Sequence, residues 1–366
     1  MDFIIHTLII GGGPSGATLA RELSKKNVEN ILIEKNLSFD KPCGGGIKSH
    51  VFEEFDIPKI FESKKINSIN LYSPKNKSVV DISNSPLSIV LRKEFDAKLR
   101  SLAQEDGTKL IEGRFIKADY FSDHVISTIK VNNDFITIKS KYLVAADGVK
   151  SSVKKDLLKT YPSSVLTNYT LVKNNNFTTC EFYFGKKVSP NQYAWVFPHG
   201  KELSIGSVLQ NNESKFFFEK LKKEQTKDSN EKLKTKGYYI PVWQEETTFY
   251  KNQVFFLGDC AQQVLPFTYE GIYYVMRSAR ILSNAIIKED PSLYEKEWKE
   301  TFQRRFKFFK IMQKIFLSSD FMTNKMISFF NNKNLRQSAL SYWKGNKKPL
   351  TLLEIISKGS KLLLKK

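Results

Sequence analysis

The chain has 366 residues, 41% of them hydrophobic, which is enough for two lobes with buried cores and excludes a disordered protein. Its longest apolar runs fall short of the roughly 18–20 residues of a spanning helix, and three cysteines argue against a disulfide scaffold and for the reducing cytoplasm. The net charge is +20, but 49 lysines against 9 arginines argue against nucleic-acid recognition, which relies on bidentate arginine contacts.

The first 35 residues follow the pattern of a β-α-β unit. Residues 3–10 form a continuous apolar run that ends in glycines, and an Ala- and Leu-rich helix is predicted from Pro14 to Lys26. A second buried strand is predicted over residues 30–35. A strand, a glycine turn, a helix and a second strand within about 30 residues indicate a dinucleotide-binding fold of the Rossmann type.

The glycine turn carries the sequence Gly11-x-Gly13-x-x-Gly16. The first glycine permits the tight turn, the second lets the backbone approach a pyrophosphate, and the third lets the helix pack closely on the strand. Glu34 ends the second strand, where it can accept hydrogen bonds from a ribose. The residues predicted to bind the nucleotide in this unit are Gly11, Gly13, Pro14, Ser15, Gly16, Glu34 and Lys35.

The rest of the chain alternates between strand and helix patterns. An irregular loop is predicted at residues 41–46, where three glycines follow Cys43. The further predicted elements are short strands over 66–90, a helix from Arg92, strands over 108–145 and 164–209, a helix over 213–227, a strand over 254–259, a helix over 270–288 and helices from Pro291 onward.

These elements predict an α/β fold: a Rossmann-type domain with an inserted antiparallel β-sheet lobe and a C-terminal helical tail. The nucleotide-binding domain is expected to be discontinuous, comprising residues 1–65, 88–160 and 250–290. The β-rich substrate lobe is expected to comprise 66–87 and 161–249, and the helical region 291–366.

Two late motifs narrow the choice of cofactor. The segment LVAADG contains Asp147 and Gly148, and the segment VFFLGD ends a buried strand on Asp259. With the glycine turn, these motifs resemble the single-Rossmann FAD oxidoreductases related to aromatic hydroxylases, and within them the geranylgeranyl reductase family. The resemblance covers roughly residues 3–290 and implies that the cofactor is FAD.

The resemblance also implies roles for particular residues. The run from Gly258 to Ile272 is similar to the family motif GDAAGxxxPxxGEGI, in which the aspartate binds the flavin ribityl or ribose and the Gly-Ile backbone lies beside the pyrimidine ring. The loop from Lys41 to Gly46 resembles the family's cysteine-glycine loop beside the flavin. The cofactor-binding residues implied in this way are Cys43, Gly44, Gly45, Gly46, Arg92, Asp259, Pro266, Gly271 and Ile272.

The segment Tyr193–Pro198 resembles the family's YxWxFPK sequence, which lines a hydrophobic substrate cavity. The substrate residues implied are Tyr193, Trp195, Phe197 and Pro198. Three positions depart from the family pattern: Gln262 and Tyr269 stand where the family has glycine, and His199 stands where it has lysine. These departures bear on the substrate and on the activity rather than on FAD binding.

Cys43 is the candidate catalytic side chain. Thiols react through the thiolate, and surrounding glycine N–H groups would favour that form. The alternative role is that of a small packing residue under the flavin. Cys260 is interpreted as a substitute for alanine and Cys180 as a core residue. The four histidines lack metal-ligand spacing, so no metal site is predicted.

The resemblance implies an FAD-dependent oxidoreductase that reduces C=C bonds of an isoprenoid chain. The chain has no second GxGxxG motif, so NAD(P)H would bind transiently, and ferredoxin is an alternative electron donor. Two rival hypotheses stay open: a flavin monooxygenase acting on an aromatic compound, and a non-catalytic flavoprotein whose basic surface binds a membrane or RNA.

The C-terminal region is basic and rich in phenylalanine. Residues 301–366 hold 15 Lys and Arg against 2 acids, and Phe302, Phe306 and Phe309 lie on one face of a predicted helix. This composition is that of an interfacial helix, which would bring a cytoplasmic protein to the inner membrane surface. The alternative is a helix that packs its aromatic face on the catalytic lobe.

Overall fold

A computed structural model describes residues 4–173, 177–226 and 233–344. Within these ranges the strands are β1 (Ile4–Ile10), β2 (Asn30–Glu34), β3 (Gly46–Lys48), β4 (Lys64–Ile66), β5 (Ser68–Tyr72), β6 (Lys77–Asp81), β7 (Leu87–Ile89), β8 (Lys109–Glu112), β9 (Arg114–Tyr120), β10 (Val125–Val131), β11 (Asp134–Ala145), β12 (Ser164–Lys173), β13 (Cys180–Tyr183), β14 (Ala194–His199), β15 (Glu202–Val208), β16 (Thr235–Pro241), β17 (Tyr250–Lys251) and β18 (Val254–Phe256). The helices are α1 (Pro14–Ser24), α2 (Val51–Glu54), α3 (Arg92–Glu105), α4 (Ser152–Leu158), α5 (Asn212–Gln225), α6 (Ile272–Ile287), α7 (Pro291–Trp298), α8 (Arg304–Phe316), α9 (Asp320–Phe329) and α10 (Lys333–Lys344).

The first sheet has the strand order β17-β18-β11-β1-β2-β8. Its strands β18, β11, β1, β2 and β8 are parallel. The long strand β11 serves two pairings, because its first half joins the antiparallel hairpin β9–β10 and its second half lies beside β1. The carboxyl ends of β1, β2 and β18 therefore lie at one edge, where the glycine turn, Glu34 and the Gly258–Ala261 turn follow.

Both faces of this sheet are covered, which explains the continuous apolar runs in the sequence. Ile9, Leu32 and Val144 point into a core shared with α1, α3 and α6. Leu8 and Ile33 point to the other face, toward β9, β10 and α4. Alternate residues of each strand therefore enter different cores.

The second sheet has the order β16-β12-β15-β14-β13-β5-β6 and is antiparallel except where β13 meets β5. Its strands come from two stretches of chain, Ser68–Asp81 and Ser164–Pro241. A small sheet of β3, β7 and β4 connects the cysteine-glycine loop to this region. The predicted α/β class, with a Rossmann-type fold, an inserted antiparallel sheet and C-terminal helices, is confirmed.

The C-terminal helices pack on the body of the protein. A π-helical turn at Lys299–Gln303 joins α7 to α8, and Phe302, Phe306 and Phe309 are buried in the main core. For this part of the tail, the aromatic face packs on the rest of the chain. Residues 345–366, which include the segment KGSKLLLKK, lie outside the described residues. No helix within the three described ranges is both long and apolar enough to cross a membrane.

Candidate functional site

One cavity of about 1030 Å³ connects the sequence motifs. It is bounded by the glycine turn at one end and by the C-terminal helices at the other, with the cysteine-glycine loop and β14 between them. The predicted site residues that line it are Gly11, Gly13, Pro14, Ser15, Glu34, Lys35, Cys43, Gly44, Gly45, Gly46, Arg92, Asp259, Gly271, Ile272, Tyr193, Trp195 and Phe197. Gly16, Pro266 and Pro198 do not line it.

The three glycines of the turn occupy different environments. Gly11 has a φ of +108°, and a Cβ there would lie 2.3 Å from the carbonyl oxygen of Ala146. A Cβ on Gly16 would lie 1.9 Å from the carbonyl oxygen of Gly11. A Cβ on Gly13 would meet no atom of the described structure within 4 Å, because that position faces the cavity. Gly11 and Gly16 therefore serve the turn, while Gly13 leaves space for a ligand.

Glu34 and Arg100 form hydrogen bonds with the backbone of the glycine turn and of the residues after β2. One oxygen of Glu34 accepts the N–H of Gly12 at 2.7 Å, and the other accepts the N–H of Asn36 at 3.0 Å. Arg100 donates to the carbonyl oxygens of Gly12 and Leu37 at 3.1 and 2.8 Å. Arg100 was not predicted from the sequence, although it lies eight residues after Arg92 and hence on the same face of α3.

Asp259 forms an ion pair with Lys41 across the cavity, with 2.6 Å between Oδ2 and Nζ. Burial opposes the charge on Lys41, but the Asp259 carboxylate outweighs it, so the pKa of Lys41 lies above its ordinary value. A carboxylate has about four acceptor positions, so one ammonium leaves Asp259 able to accept further hydroxyl groups. Lys41 was quoted in the loop motif but not predicted as a site residue.

Cys43 lies beside a buried ion pair. Its sulfur accepts the N–H of Gly45 at 3.3 Å and interacts with the guanidinium of Arg92. Arg92 in turn donates to both oxygens of Asp96, at 2.9 and 2.7 Å. Burial opposes the charge of Arg92, but Asp96 and Cys43 favour it, and the pKa of Arg92 is raised. The sulfur is therefore held between a backbone amide and a fixed positive charge.

Strand β14 and the residue before it, Tyr193, divide their side chains between two faces. Tyr193, Trp195 and Phe197 point into the cavity, whereas Ala194 and Val196 point into a separate core. Pro198 lies two residues after Val196 and therefore points in the same direction, which is why it is buried away from the cavity. Gly44 packs against Phe197, since a Cβ on Gly44 would lie 2.6 Å from that ring. The loop and strand motifs are therefore in direct contact.

The two departures from glycine fall at left-handed backbone positions. Gln262 has a φ of +57° and Tyr269 a φ of +53°, which explains why glycine suits both sites. Gln262 donates a hydrogen bond from Nε2 to the carbonyl oxygen of Val242 at 2.6 Å. Tyr269 lines the cavity, and burial raises its pKa. His199 does not line the cavity, and burial lowers its pKa.

Helices α8, α9 and α10 supply one wall of the cavity, which sequence reasoning did not predict. These helices lie more than 100 residues beyond β14, and only tertiary packing brings them together. The lining residues that they contribute are largely apolar: Phe308, Phe309, Met312, Ile315, Phe316, Met322, Lys325, Met326, Phe329, Phe330, Leu335, Ser338, Ala339, Leu340, Tyr342 and Trp343.

A cluster of polar contacts connects α10 to the segments that contain Lys48 and Glu270. The Trp343 indole N–H donates to Glu270, which immediately precedes Gly271. Lys48 Nζ lies 3.6 Å from Glu270 Oε2 and donates to the Trp343 carbonyl oxygen at 3.3 Å. The Lys48 ammonium also lies over the rings of Tyr273 and Tyr274, at 5.3 and 5.6 Å. Three separate segments of the chain therefore meet beside the predicted cofactor position.

Comparison with known proteins decides the family. Residues 5–289 match the family described as FAD binding domain, which is more than three quarters of the chain. The chain belongs to this family. Geranylgeranyl diphosphate reductase of Rhodobacter capsulatus is 27% identical over 95% of this chain and 94% of its own length. Digeranylgeranylglycerophospholipid reductase of Methanocaldococcus jannaschii is 28% identical over 86% of this chain and 88% of its own length.

A solved structure supports the fold. A geranylgeranyl bacteriochlorophyll reductase-like protein of Thermoplasma acidophilum superposes with a TM-score of 0.81, covering 99% of this chain and 100% of its own, at 22% identity. The resemblance to the geranylgeranyl reductase family that the motifs indicated is confirmed, and the chain is an FAD-dependent oxidoreductase.

The cavity fits FAD on its own geometry. Helix α1 starts at the glycine turn with no capping hydrogen bond from any side chain of the described residues, so its first N–H groups can face a pyrophosphate. The open space over Gly13 lies at the same point. The cavity of about 1030 Å³ exceeds what a single small ligand needs, and therefore has room for a cofactor and part of a substrate.

Proposed function

We propose that this protein reduces C=C bonds of an isoprenoid chain that is bound in the apolar part of the cavity. The observation that carries the proposal is the continuity of this cavity, which runs from the glycine turn past Cys43 to a wall of phenylalanine, methionine and leucine on α8–α10. The names of the curated relatives, which are reductases of geranylgeranyl compounds, support the choice of substrate.

An isoprenoid chain has a large apolar surface and few groups that can form hydrogen bonds, so its binding depends on the burial of that surface. Aromatic rings at Trp195 and Phe197 and the helices opposite them provide such a surface. Trp195 lies flat on Gly206, where a Cβ would come within 1.9 Å of the indole, and its Nε1–H donates to Ser204. The ring is thus fixed in position and can exclude water from the reacting double bond.

Reduced FAD supplies a hydride for such a double bond when it is bound. The residues predicted to hold it, from the glycine turn to Gly271, are part of this proposal. The reaction also requires a proton, and Cys43 is the side chain that we assign to the reacting end of the cavity. Electrons would reach the flavin from NAD(P)H or from a ferredoxin-type carrier, which anaerobic reduction with each donor would distinguish.

The proposed function is tested by anaerobic reoxidation of the reduced holoprotein. The flavin is reduced with dithionite, a geranylgeranyl compound is added, and the return of oxidised flavin absorbance is followed. Mass spectrometry of the product should show a gain of two hydrogens for each saturated double bond. Reoxidation only by oxygen, with hydroxylation of an aromatic compound, would instead establish a monooxygenase.

Replacement of Cys43 by serine should slow this reoxidation about 100-fold, the scale at which a positioned proton-transferring group contributes. The hydroxyl keeps nearly the same size but is far less acidic than the thiol. The matched control is Cys260→Ala, since Cys260 is buried in the core and does not line the cavity. Equal rates for Cys43→Ser and the wild type would mean that the thiol only packs.

The basic C-terminal region forms a second part of the proposal, namely peripheral contact with an anionic membrane. Lysines near a charged bilayer contribute about 1 kcal/mol each, and residues 345–366 contain 6 lysines and 1 acid. Truncation after Lys344 is expected to weaken binding to phosphatidylserine liposomes at low salt while FAD content stays constant. Unchanged liposome binding would remove this region from the interface.

A further inference from the structure

Helix α9 presents one face to the cavity with a single charge in it. The cavity-lining residues of this helix follow the i, i+3, i+4, i+7 spacing of one helical face. They are Met322, Lys325, Met326 and Phe329, and Phe330, the C-cap that follows the helix, extends the same face. A core-facing stripe of this kind normally contains only apolar residues, so the lysine requires an explanation.

Lys325 differs from the other cations in this cavity. Lys41 forms an ion pair with Asp259, Arg92 with Asp96, and Arg100 donates to two backbone carbonyls. Lys325 is half-buried, and within residues 4–173, 177–226 and 233–344 its ammonium has neither an ion pair nor a hydrogen bond. The one acid between residues 301 and 344 is Asp320, whose Oδ1 accepts the N–H of Lys186.

The remaining cations of the cavity wall, such as Lys35 and Lys150, belong to segments around the glycine turn and Asp147. That end of the cavity is assigned to FAD. These lysines are therefore not candidates for binding the end of the substrate that lies away from the flavin. Lys325 stands instead among the methionine and phenylalanine side chains that would hold an isoprenoid chain. Leaving an ammonium half-buried in an apolar wall is costly unless an anion compensates it.

We propose that Lys325 binds the anionic headgroup of the isoprenoid substrate, a phosphate or diphosphate ester. The proposal rests on the proposed function, because it needs a prenyl chain in the cavity. A lysine ammonium binds phosphate as a point charge, and a neighbouring apolar wall strengthens that contact by excluding water. The chain would then extend from α9 toward Cys43, with the charged end held away from the flavin.

One lysine distinguishes charged from uncharged headgroups, but it does not choose between a prenyl diphosphate and a prenylated glycerophospholipid. The test therefore compares both with an uncharged prenyl alcohol. In Lys325→Met, whose side chain matches its neighbours, KM for geranylgeranyl diphosphate or for the phospholipid should rise about 10- to 100-fold, the usual range for a charge-assisted hydrogen bond. KM for geranylgeraniol and the value of kcat should stay within about twofold of the wild type.

Lys333→Met is the matched control, because it removes the same charge from an exposed residue of α10 that does not line the cavity. It should leave KM for every compound unchanged, and Lys325→Arg should restore most of the affinity for the ester. An equal rise of KM for ester and alcohol in Lys325→Met, or no rise for either ester, would overturn the assignment.

Direct binding separates this assignment from the proposed function. Quenching of tryptophan fluorescence by geranylgeranyl diphosphate and by geranylgeraniol measures affinity without turnover. If the wild type binds both compounds but reduces neither, the proposed reaction is wrong. A selective loss of diphosphate binding in Lys325→Met would still support the headgroup site in that case, whereas equal binding by variant and wild type would refute it.

Discussion

Alanine at Gly13 is expected to leave the fold intact while it raises the Kd for FAD about 100-fold. Gly13 has an ordinary φ of −74° as the N-cap of α1, and a Cβ there would meet no described atom within 4 Å. The apoprotein should therefore unfold at nearly the same urea concentration as the wild type. The same methyl group would occupy the space through which the pyrophosphate reaches the helix N-terminus.

Alanine at Gly16 is expected to act on the fold instead. Its Cβ would lie 1.9 Å from the carbonyl oxygen of Gly11, which is backbone and cannot move aside as a side chain can. Overpacking of this kind typically costs 1–3 kcal/mol and sometimes more, so we expect the free energy of unfolding of the apoprotein to fall by about 3 kcal/mol.

Urea unfolding of the apoproteins and titration of each with FAD measure both effects. The pair of variants is informative because each is the control for the other: the same substitution, three residues apart, should change affinity in one case and stability in the other. If Gly13→Ala binds FAD as tightly as the wild type, the pyrophosphate does not pass over Gly13.

The contrast between these glycines shows which features the sequence could predict. The turn is local, so the spacing of Gly11, Gly13 and Gly16 between an apolar run and a helix was sufficient to predict a role for each glycine. Tyr193, Trp195 and Phe197 were implied as cavity residues by the family motif, and strand alternation, which is a local rule, places all three on one face. Pro198 was included by motif, although the same rule places it on the opposite face.

Long-range partners could not be predicted in the same way. Lys41 and Asp259 are 218 residues apart in sequence, and only the closure of the sheet brings the two loops together. The wall formed by α8–α10 depends on how helices pack on another part of the chain, which hydrophobic periodicity alone does not specify. The phenylalanine stripe of the tail left open whether it meets a membrane or packs on the catalytic lobe, and it did not indicate that Phe309 lines the cavity.

The largest stability effect is expected at Asp96. The Asp96 and Arg92 side chains are 8% and 4% exposed and form two hydrogen bonds with each other. Asp96→Leu would leave the guanidinium of Arg92 buried without its counter-charge. Removing one partner of a buried pair usually costs 3–5 kcal/mol, so we expect the free energy of unfolding of the apoprotein to fall by about 4 kcal/mol.

The double variant Arg92→Met/Asp96→Leu separates the two roles of Arg92. Replacing both partners of a buried pair by apolar residues of similar volume is often close to neutral for stability, so the double variant should recover most of the loss in urea unfolding. Arg92 also interacts with the sulfur of Cys43 and lines the cavity. A stable double variant with weakened FAD binding and slowed substrate-dependent reoxidation would therefore place Arg92 in the cofactor site. A stable double variant with wild-type FAD affinity and rate would restrict Arg92 to holding α3 and the cysteine-glycine loop together.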